Sequence, residues 1–342
     1  MKKVSISDIA RKAGVSVSTV SFVMNDKAVK MRISREVIEK VENVAREMGY
    51  RPNQLARGLR TGKTKTIGLI VENISNAFFA AMAKTIEDEA KKYDYKVVYC
   101  STDNDETKAK ELISMLSQRQ VDGYIITPTL QLAEEIRRLQ AENKPVVLID
   151  RYFPEHEEIP SVLVDNYAGV VEGMEFLIAK GYRKIGLVTI EVSMAHMADR
   201  LRAYYDTLRK HDIPLNELLV KQVPYGYVRE AALEEIEGFL TGDGRDCDAL
   251  FFLTNYLGVL GIEATKKLKM RIPQDKAFLC FDDNDIFRLY NPTISVIRQP
   301  ICEIGQQAMA ALIERLRHTG TDAPLENTPI KLSAELVPRD SI

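Results

Sequence analysis

The side chains best placed for chemistry follow short apolar runs. Residues 73–79 come after Ile67-Gly68-Leu69-Ile70-Val71, and Asp150-Arg151 after Val146-Val147-Leu148-Ile149. Asn255 follows Leu250-Phe251-Phe252-Leu253, and Asp282-Asp283 follow Phe278-Leu279-Cys280-Phe281. Carboxylates, an arginine and an asparagine suit two-point hydrogen bonding of vicinal hydroxyls, while Phe78 or Phe79 offers an apolar face for stacking. That chemistry fits a sugar-like ligand. Taken singly, Asn255 and Asp282 could instead be helix N-caps. No reaction chemistry has its usual equipment here: the chain lacks G-x-G-x-x-G after its first apolar run, G-x-x-x-x-G-K-[ST], G-x-S-x-G and H-E-x-x-H. Cys100, Cys247, Cys280 and Cys302 are far apart with no C-x-x-C pair, so they read as buried reduced thiols rather than a metal or redox site. His156, His211 and His318 show no metal-ligand spacing, and His196, in a loop, reads as a surface residue with a ligand donor as the alternative. Neither a metal nor a cofactor is expected, and the chain is not read as an enzyme.

The elements that must hold these residues alternate. The apolar runs above, with Val97-Val98-Tyr99-Cys100, Gly123-Tyr124-Ile125-Ile126 and Ile185-Gly186-Leu187-Val188, are separated by amphipathic stretches such as 79–92. Strands that are apolar on both faces and separated by helices build parallel sheets covered on both sides. So many units exceed one comfortable sheet, which predicts two doubly wound lobes with a ligand at the carboxyl ends of their strands, in the crevice between them.

The first sixty residues differ in kind. Residues 1–63 hold 14 Lys and Arg against 6 Asp and Glu, a net charge of +8, whereas the remainder carries 33 against 43, a net charge of −10. A basic head on an acidic body is the footprint of a module that docks on phosphates. Ser5 and Asp8 form a capping box before Ile9-Ala10, Gly14 ends that helix, and Ser16 can cap a second over 17–24, the spacing of a helix-turn-helix. A third helix from Ser34 carries one apolar stripe, Val37, Ile38, Val41, Val44, Ala45 and Met48, that can pack over the first two. Val17, Ser18, Thr19, Ser21 and Phe22 are short or flat side chains near a helix start and can approach base edges in a major groove; Ser5 joins them at the start of the first helix. Beyond Tyr50-Arg51-Pro52, Asn53 can cap a short helix too weak to hold alone. There Arg57, Arg60 and Lys63 suit phosphates or a narrow minor groove, and Leu59 suits an apolar wedge between base pairs.

The run Ile6-Ser7-Asp8-Ile9-Ala10-Arg11-Lys12-Ala13-Gly14-Val15-Ser16-Val17-Ser18-Thr19-Val20-Ser21, then Gly49-Tyr50-Arg51-Pro52-Asn53 and Leu55-Ala56-Arg57-Gly58-Leu59-Arg60, closely resembles the LacI/GalR family of bacterial transcription regulators, and the likeness extends over essentially the whole chain. The resemblance implies an α/β two-lobed periplasmic-binding-protein type I body with an N-terminal all-α helix-turn-helix domain, its lobes exchanging strands. The boundaries expected are 1–50 for the DNA-binding head and 51–63 for the hinge helix and linker. The N-terminal lobe then takes 64–162 plus 293–325, and the C-terminal lobe 163–292 plus 326–342. By family position, Val17, Ser18 and Phe22 correspond to base-reading sites, Leu59 to the intercalating hinge leucine and Arg60 to its basic neighbour. Phe22 departs from the His, Arg or Asn often seen there. Phe79, Arg200, Tyr225, Asn255 and Asp282 resemble effector contacts, with Phe78, Arg151, Asp165 and His196 as further candidates. Met194 stands where some members place a polar ligand-binding residue, and Ala203 replaces a common glycine.

The function implied is a repressor of carbohydrate-utilisation genes that binds a palindromic double-stranded DNA operator as a homodimer or, by further association, a tetramer, under control of a sugar or sugar derivative. A phosphocarrier protein as co-effector is a secondary alternative, as is a solute-binding sensor or enzyme on the same body without operator binding. With 45% hydrophobic and 28% charged residues, the composition excludes disorder, collagen and a disulfide scaffold. No apolar run approaches the roughly 20 residues that cross a bilayer, and Met1-Lys2-Lys3 has no apolar stretch behind it, so neither a membrane span nor a secretory signal is expected and the location expected is cytoplasmic.

Overall fold

The computed structural model describes residues 4–25, 27–50, 63–156, 158–191, 194–226, 228–318 and 327–342. Its chain divides into a unit of Met1–Thr64 and one of Lys65–Ile342.

In the first unit, α1 (Ile6–Ala13) starts at Ser5, whose hydroxyl accepts from Asp8 N at 3.3 Å while Asp8 accepts from Ser5 N at 3.0 Å. This closes the capping box that the sequence predicts. Gly14, at φ 65°, ends the helix in the left-handed conformation that glycine adopts without a Cβ penalty. Helix α2 (Val17–Val23) is capped by Ser16, which accepts from Thr19 N at 3.0 Å, and α3 (Arg35–Glu47) by Ser34. Ile9, Ala10, Ala13, Val20, Val23, Ala28, Val41 and Ala45 form one small core, with Val37, Ile38, Val44 and Met48 of the predicted stripe packed around it.

The second unit runs β1 (Thr66–Val71), α4 (Ala77–Lys92), β2 (Lys96–Ser101), α5 (Glu106–Gln118), β3 (Gly123–Ile126), α6 (Ala133–Ala141), β4 (Val146–Ile149), β5 (Ser161–Val164) and α7 (Asn166–Ala179). It continues through β6 (Ile185–Glu191), α8 (Ala195–Lys210), β7 (Val220–Pro224), α9 (Arg229–Thr241), β8 (Ala249–Phe252), α10 (Asn255–Lys267), β9 (Ala277–Phe281) and α11 (Asp285–Leu289). Last come β10 (Ser295–Arg298), α12 (Ile301–Arg317), β11 (Ile330–Leu332) and β12 (Glu335–Val337). Two six-stranded sheets result, ordered β11-β5-β4-β3-β1-β2 and β12-β10-β9-β8-β6-β7. The order repeats, so β1 to β5 match β6 to β10. Every pair is parallel except β10 with β12.

Two short strands lie in the sheet opposite to the one their expected segment assigned them. β10 pairs with β9 through Val296↔Cys280, and β11 pairs with β5 through Lys331↔Leu163. The chain therefore crosses between sheets after Val164, after Arg298 and between Leu332 and Glu335. Both strands are short, and the backbone partner left open at each sheet edge decides where they go.

Cys100, Cys247 and Cys280 are buried, but Cys302 in the first turn of α12 is exposed, which corrects the expectation of four buried thiols. Among the described residues, no helix is long and apolar enough to cross a membrane.

Candidate functional site

A crevice between the two sheets of the second unit gathers residues from the carboxyl ends of their strands. From the first lobe come Glu72, Asn76, Phe78, Phe79, Asp150 and Arg151; from the second, Met194, His196, Arg200, Tyr225, Asn255 and Asp282 among others. Strand order reverses around β1 and around β6, which leaves a gap beyond their ends into which side chains and ligands fit. The inner chamber holds about 40 Å³ and shares Glu72, Asn76, Tyr225 and Asn255 with a groove of about 760 Å³.

Asp150 and Asp282 occupy equivalent places, one residue past β4 and β9, with φ 66° and 74°. This left-handed backbone, tolerated by aspartate, turns each carboxylate off its strand into the crevice. Arg200, on α8, is 2% exposed; it donates Nε to Asn166 Oδ1 at 2.7 Å and Nη1 to the Leu253 carbonyl at 2.6 Å. Its guanidinium lies 3.6 Å above the Phe281 ring centre and 4.0 Å from Asp282 Oδ2. Arg151 donates Nη2 to Glu72 and Nη1 to Asn104 Oδ1 at 2.5 Å, while its Nε stands 3.4 Å from Asp150 Oδ2. Gln299 Nε2 donates to Asp282 Oδ1 at 2.6 Å.

Burial governs the protonation of this set. Desolvation pushes the Asp150 carboxyl up to about 6, against the pull of Arg151 and Arg200, and raises Asp282 despite Arg200 and Gln299. His196 is held well below its usual range by burial first and by Arg151 and Arg200 next, so it is neutral at pH 7. Its Nδ1, the Thr254 hydroxyl and Arg151 Nε are buried without a hydrogen-bond partner. Polar atoms in that condition are costly to keep, and such costs concentrate where a ligand can satisfy them. Hydrogen bonds cross the crevice among the described residues: Asn104 Nδ2 donates to the Tyr225 hydroxyl, and Asn255 Nδ2 to Asn76 Oδ1 at 3.5 Å.

Of the residues singled out from sequence, the crevice brings together Phe78, Phe79, Arg151, His196, Arg200, Tyr225, Asn255 and Asp282. Asp165 is not among them. It caps α7, accepting from Ala168 N at 2.9 Å, and lines an adjoining cavity of about 60 Å³ that shares Asp150 and His196 with the chamber. The N-cap alternative for Asn255 and Asp282 does not hold, since Thr254 and Asn284 occupy those caps. His196, expected at the surface, is 7% exposed and faces the chamber, because its helix starts directly at the crevice wall. Asp283 points elsewhere, receiving both ends of the Arg339 guanidinium at 3.0 and 2.7 Å. Glu72, Asn104 and Gln299 were missed. Glu72 directly follows β1 and Gln299 directly follows β10, places where the strand-end argument could have found them, but Asn104 enters through its long-range contact with Arg151. Among the described residues, no cluster of His, Cys, Asp and Glu could hold a metal.

In the first unit, Val17 and Ser18 are exposed and Ser21 and Phe22 partly so, while Val20 and Val23 on the opposite side of α2 enter the core. The Thr19 hydroxyl lies 2.8 Å from that of Ser16, and the Ser5 hydroxyl donates to Asp8 at 2.6 Å, so both are engaged in holding helix starts. Asn53, Arg57, Leu59 and Arg60 lie outside the described residues.

Residues 5–53 match the family described as bacterial regulatory proteins, lacI family, and residues 174–342 a periplasmic binding protein-like domain. The chain is 32% identical over 342 residues to the HTH-type transcriptional regulator RegA of Clostridium saccharobutylicum, covering 98% of each chain. It is 31% identical over 344 residues to the ribose operon repressor of Haemophilus influenzae, covering 99% of this chain and 98% of the relative. Among solved structures, it is similar to the Lac repressor dimer bound to operator and the anti-inducer ONPF, with 22% identity, a TM-score of 0.85 and 99% of each chain covered.

Proposed function

Since the chain belongs to the LacI family of DNA-binding transcriptional regulators and is not an enzyme, we propose that it represses carbohydrate-utilisation genes under control of a sugar-like effector in the crevice. The observation that carries this reading is the ring of buried polar side chains at the strand ends, with Asp150 and Asp282 in matching positions of the two lobes and unsatisfied atoms on His196 and Thr254 between them. Vicinal hydroxyls would satisfy those atoms, and the Phe78 and Phe79 rings, 5.0 Å apart and edge to face, supply apolar surface. The similarity to a ribose operon repressor supports the same class of regulated gene.

The proposed mechanism couples two sites. A homodimer presents two heads to a palindromic operator, because a two-fold protein reads a two-fold site. Val17, Ser18, Ser21 and Phe22 of α2 meet base edges, Arg57 and Arg60 meet phosphates, and Leu59 with its mate wedges open a central step in the minor groove. The chamber of about 40 Å³ adjoins a groove of about 760 Å³, so a sugar ring that reaches Asp150 and Asp282 displaces side chains standing between the lobes. An effector that replaces the Asn104–Tyr225 and Asn76–Asn255 contacts therefore changes how the lobes approach, and its differential affinity for the two arrangements is the coupling free energy felt at the DNA.

The test is a thermal-shift screen of the full chain against pentoses, hexoses and disaccharides, with operator binding measured beside it and Asp282→Ala as control. A ligand at a hundred times its dissociation constant adds roughly 2.7 kcal/mol to the stability of the part that binds it. A sugar that raises the midpoint in the parent chain only, and changes operator affinity, supports the reading. A shift retained in Asp282→Ala places the ligand elsewhere and overturns it.

A further inference from the structure

We infer that the crevice accepts uncharged or amine-bearing polyhydroxyl compounds and rejects anionic ones, sugar phosphates and sugar acids included. The inference rests on the effector reading above and extends it to the charge of the ligand. What decides it is which polar groups are already engaged and which remain open.

A phosphate or carboxylate is recognised chiefly by a guanidinium fork with free donors. Each guanidinium here has two of its three nitrogens hydrogen-bonded within the protein. Arg200 is fastened to Asn166, to the Leu253 carbonyl and to the face of Phe281, and Arg151 to Glu72 and Asn104. Both are buried, so neither can turn toward a ligand without abandoning partners in a region of low dielectric. Besides the unpaired Arg151 Nε, His196 Nδ1 and Thr254 hydroxyl, the open positions are carboxylate acceptors. Asp150 is met only by the 3.4 Å approach of Arg151 Nε, which makes no hydrogen bond, and Asp282 keeps Oδ2 4.0 Å from Arg200 after Oδ1 has taken the Gln299 amide.

Net charge at the chamber is close to balanced, so the placement of the carboxylates decides. Glu72, Asp150 and Asp282 line the chamber with Arg151 and Arg200, an excess of one negative charge among side chains once His196 is neutral. Helices starting at Ala195 and Asn255 have no side-chain cap and bring roughly half a positive charge each, which offsets that excess but supplies no fork for an anion. A ligand anion would sit among three carboxylates, whereas hydroxyl or ammonium donors would meet Asp150 and Asp282 directly.

The experiment is isothermal titration of the full chain at pH 7.5 with matched sets: a free hexose, its 2-amino derivative, its 6-phosphate and its uronic acid, and the corresponding pentose series. The expected result is a neutral or amino member that binds while its phosphate and acid bind at least about thirtyfold more weakly. In Asp150→Asn the discrimination narrows, with the neutral ligand weakened and the anion's relative penalty reduced. An anionic member binding as tightly as its neutral parent overturns this inference and leaves the effector reading standing. Binding by no member of any set, with no thermal shift, removes the effector reading and the inference with it.

Discussion

Replacing Asp150 by asparagine should stabilise the unliganded protein at neutral pH, although the change falls in its most polar region. In the folded chain this carboxyl titrates at about 6, against an ordinary value of 3.8, because burial penalises its charged form more than Arg151 and Arg200 favour it. Between those two values the folded chain holds a proton that the unfolded chain has released, so stability falls as pH rises through that window. Above pH 6 the cost is complete, and the gap from 3.8 to about 6 corresponds to about 3 kcal/mol. The side chain is 9% exposed, so solvent screening does little to reduce it. Asparagine keeps the shape and carries no charge. With roughly 2 °C or more per kcal/mol for a domain of this size, Asp150→Asn should raise the melting midpoint by about 5 °C or more at pH 7.5, with the difference from the parent closing toward pH 4. Fluorimetric melting of both proteins at half-unit steps from pH 4 to 8 checks this, comparing midpoints because a two-lobed chain need not unfold in one step. A variant that melts below its parent at pH 7.5, or a difference independent of pH, would refute the argument that desolvation dominates at this site.

Leu59→Ala should weaken operator binding at least about tenfold while the protein stays folded and dimeric, and affinity in the parent should fall steeply with salt as phosphate contacts are screened; fluorescence anisotropy on labelled operator reads both. Unchanged affinity in the variant removes the wedge, and a flat salt response argues against the basic head as the DNA surface. In α10, a Cβ on Gly261 would stand 2.5 Å from Phe252 Cε1, so Gly261→Ala should cost about 1–3 kcal/mol by overpacking. Gly238 in α9 has open space around its position, so Gly238→Ala should stabilise by about 0.5–1 kcal/mol through helix propensity. Equal effects in denaturant titrations of the two variants would show that the close packing at Gly261 is absent.

Ser5, Gly14, Ser16 and Ser34 made the three head helices legible, because caps and stops act within a few residues of where they stand. Six of the seven apolar runs between 67 and 281 marked buried strands for the same reason, whereas the run at Val97 forms the edge strand β2, with Tyr99 exposed. Placement at the ends of those strands was enough to nominate Phe79, Arg151, Asn255 and Asp282 for the crevice in which the structure gathers them. Arg200 and Tyr225 came by family position alone, since a helix-borne arginine and an exposed tyrosine carry no local mark of a site.

What the sequence by itself determined, then, is whatever short-range physics decides: where helices begin, which segments are buried, and which polar residues wait just beyond a strand. Only tertiary structure decided that the strand at Ser295 joins the second sheet and the one at Ile330 the first, since a short strand pairs with whichever edge packing leaves open. It also decided that His196 is buried and neutral, that Asp165 is committed to a helix cap, and that Glu72 and Asn104 close around Arg151. Burial and partnership are properties of neighbours distant along the chain, and the desolvation that sets the protonation of Asp150 arises only when both lobes are in place around it.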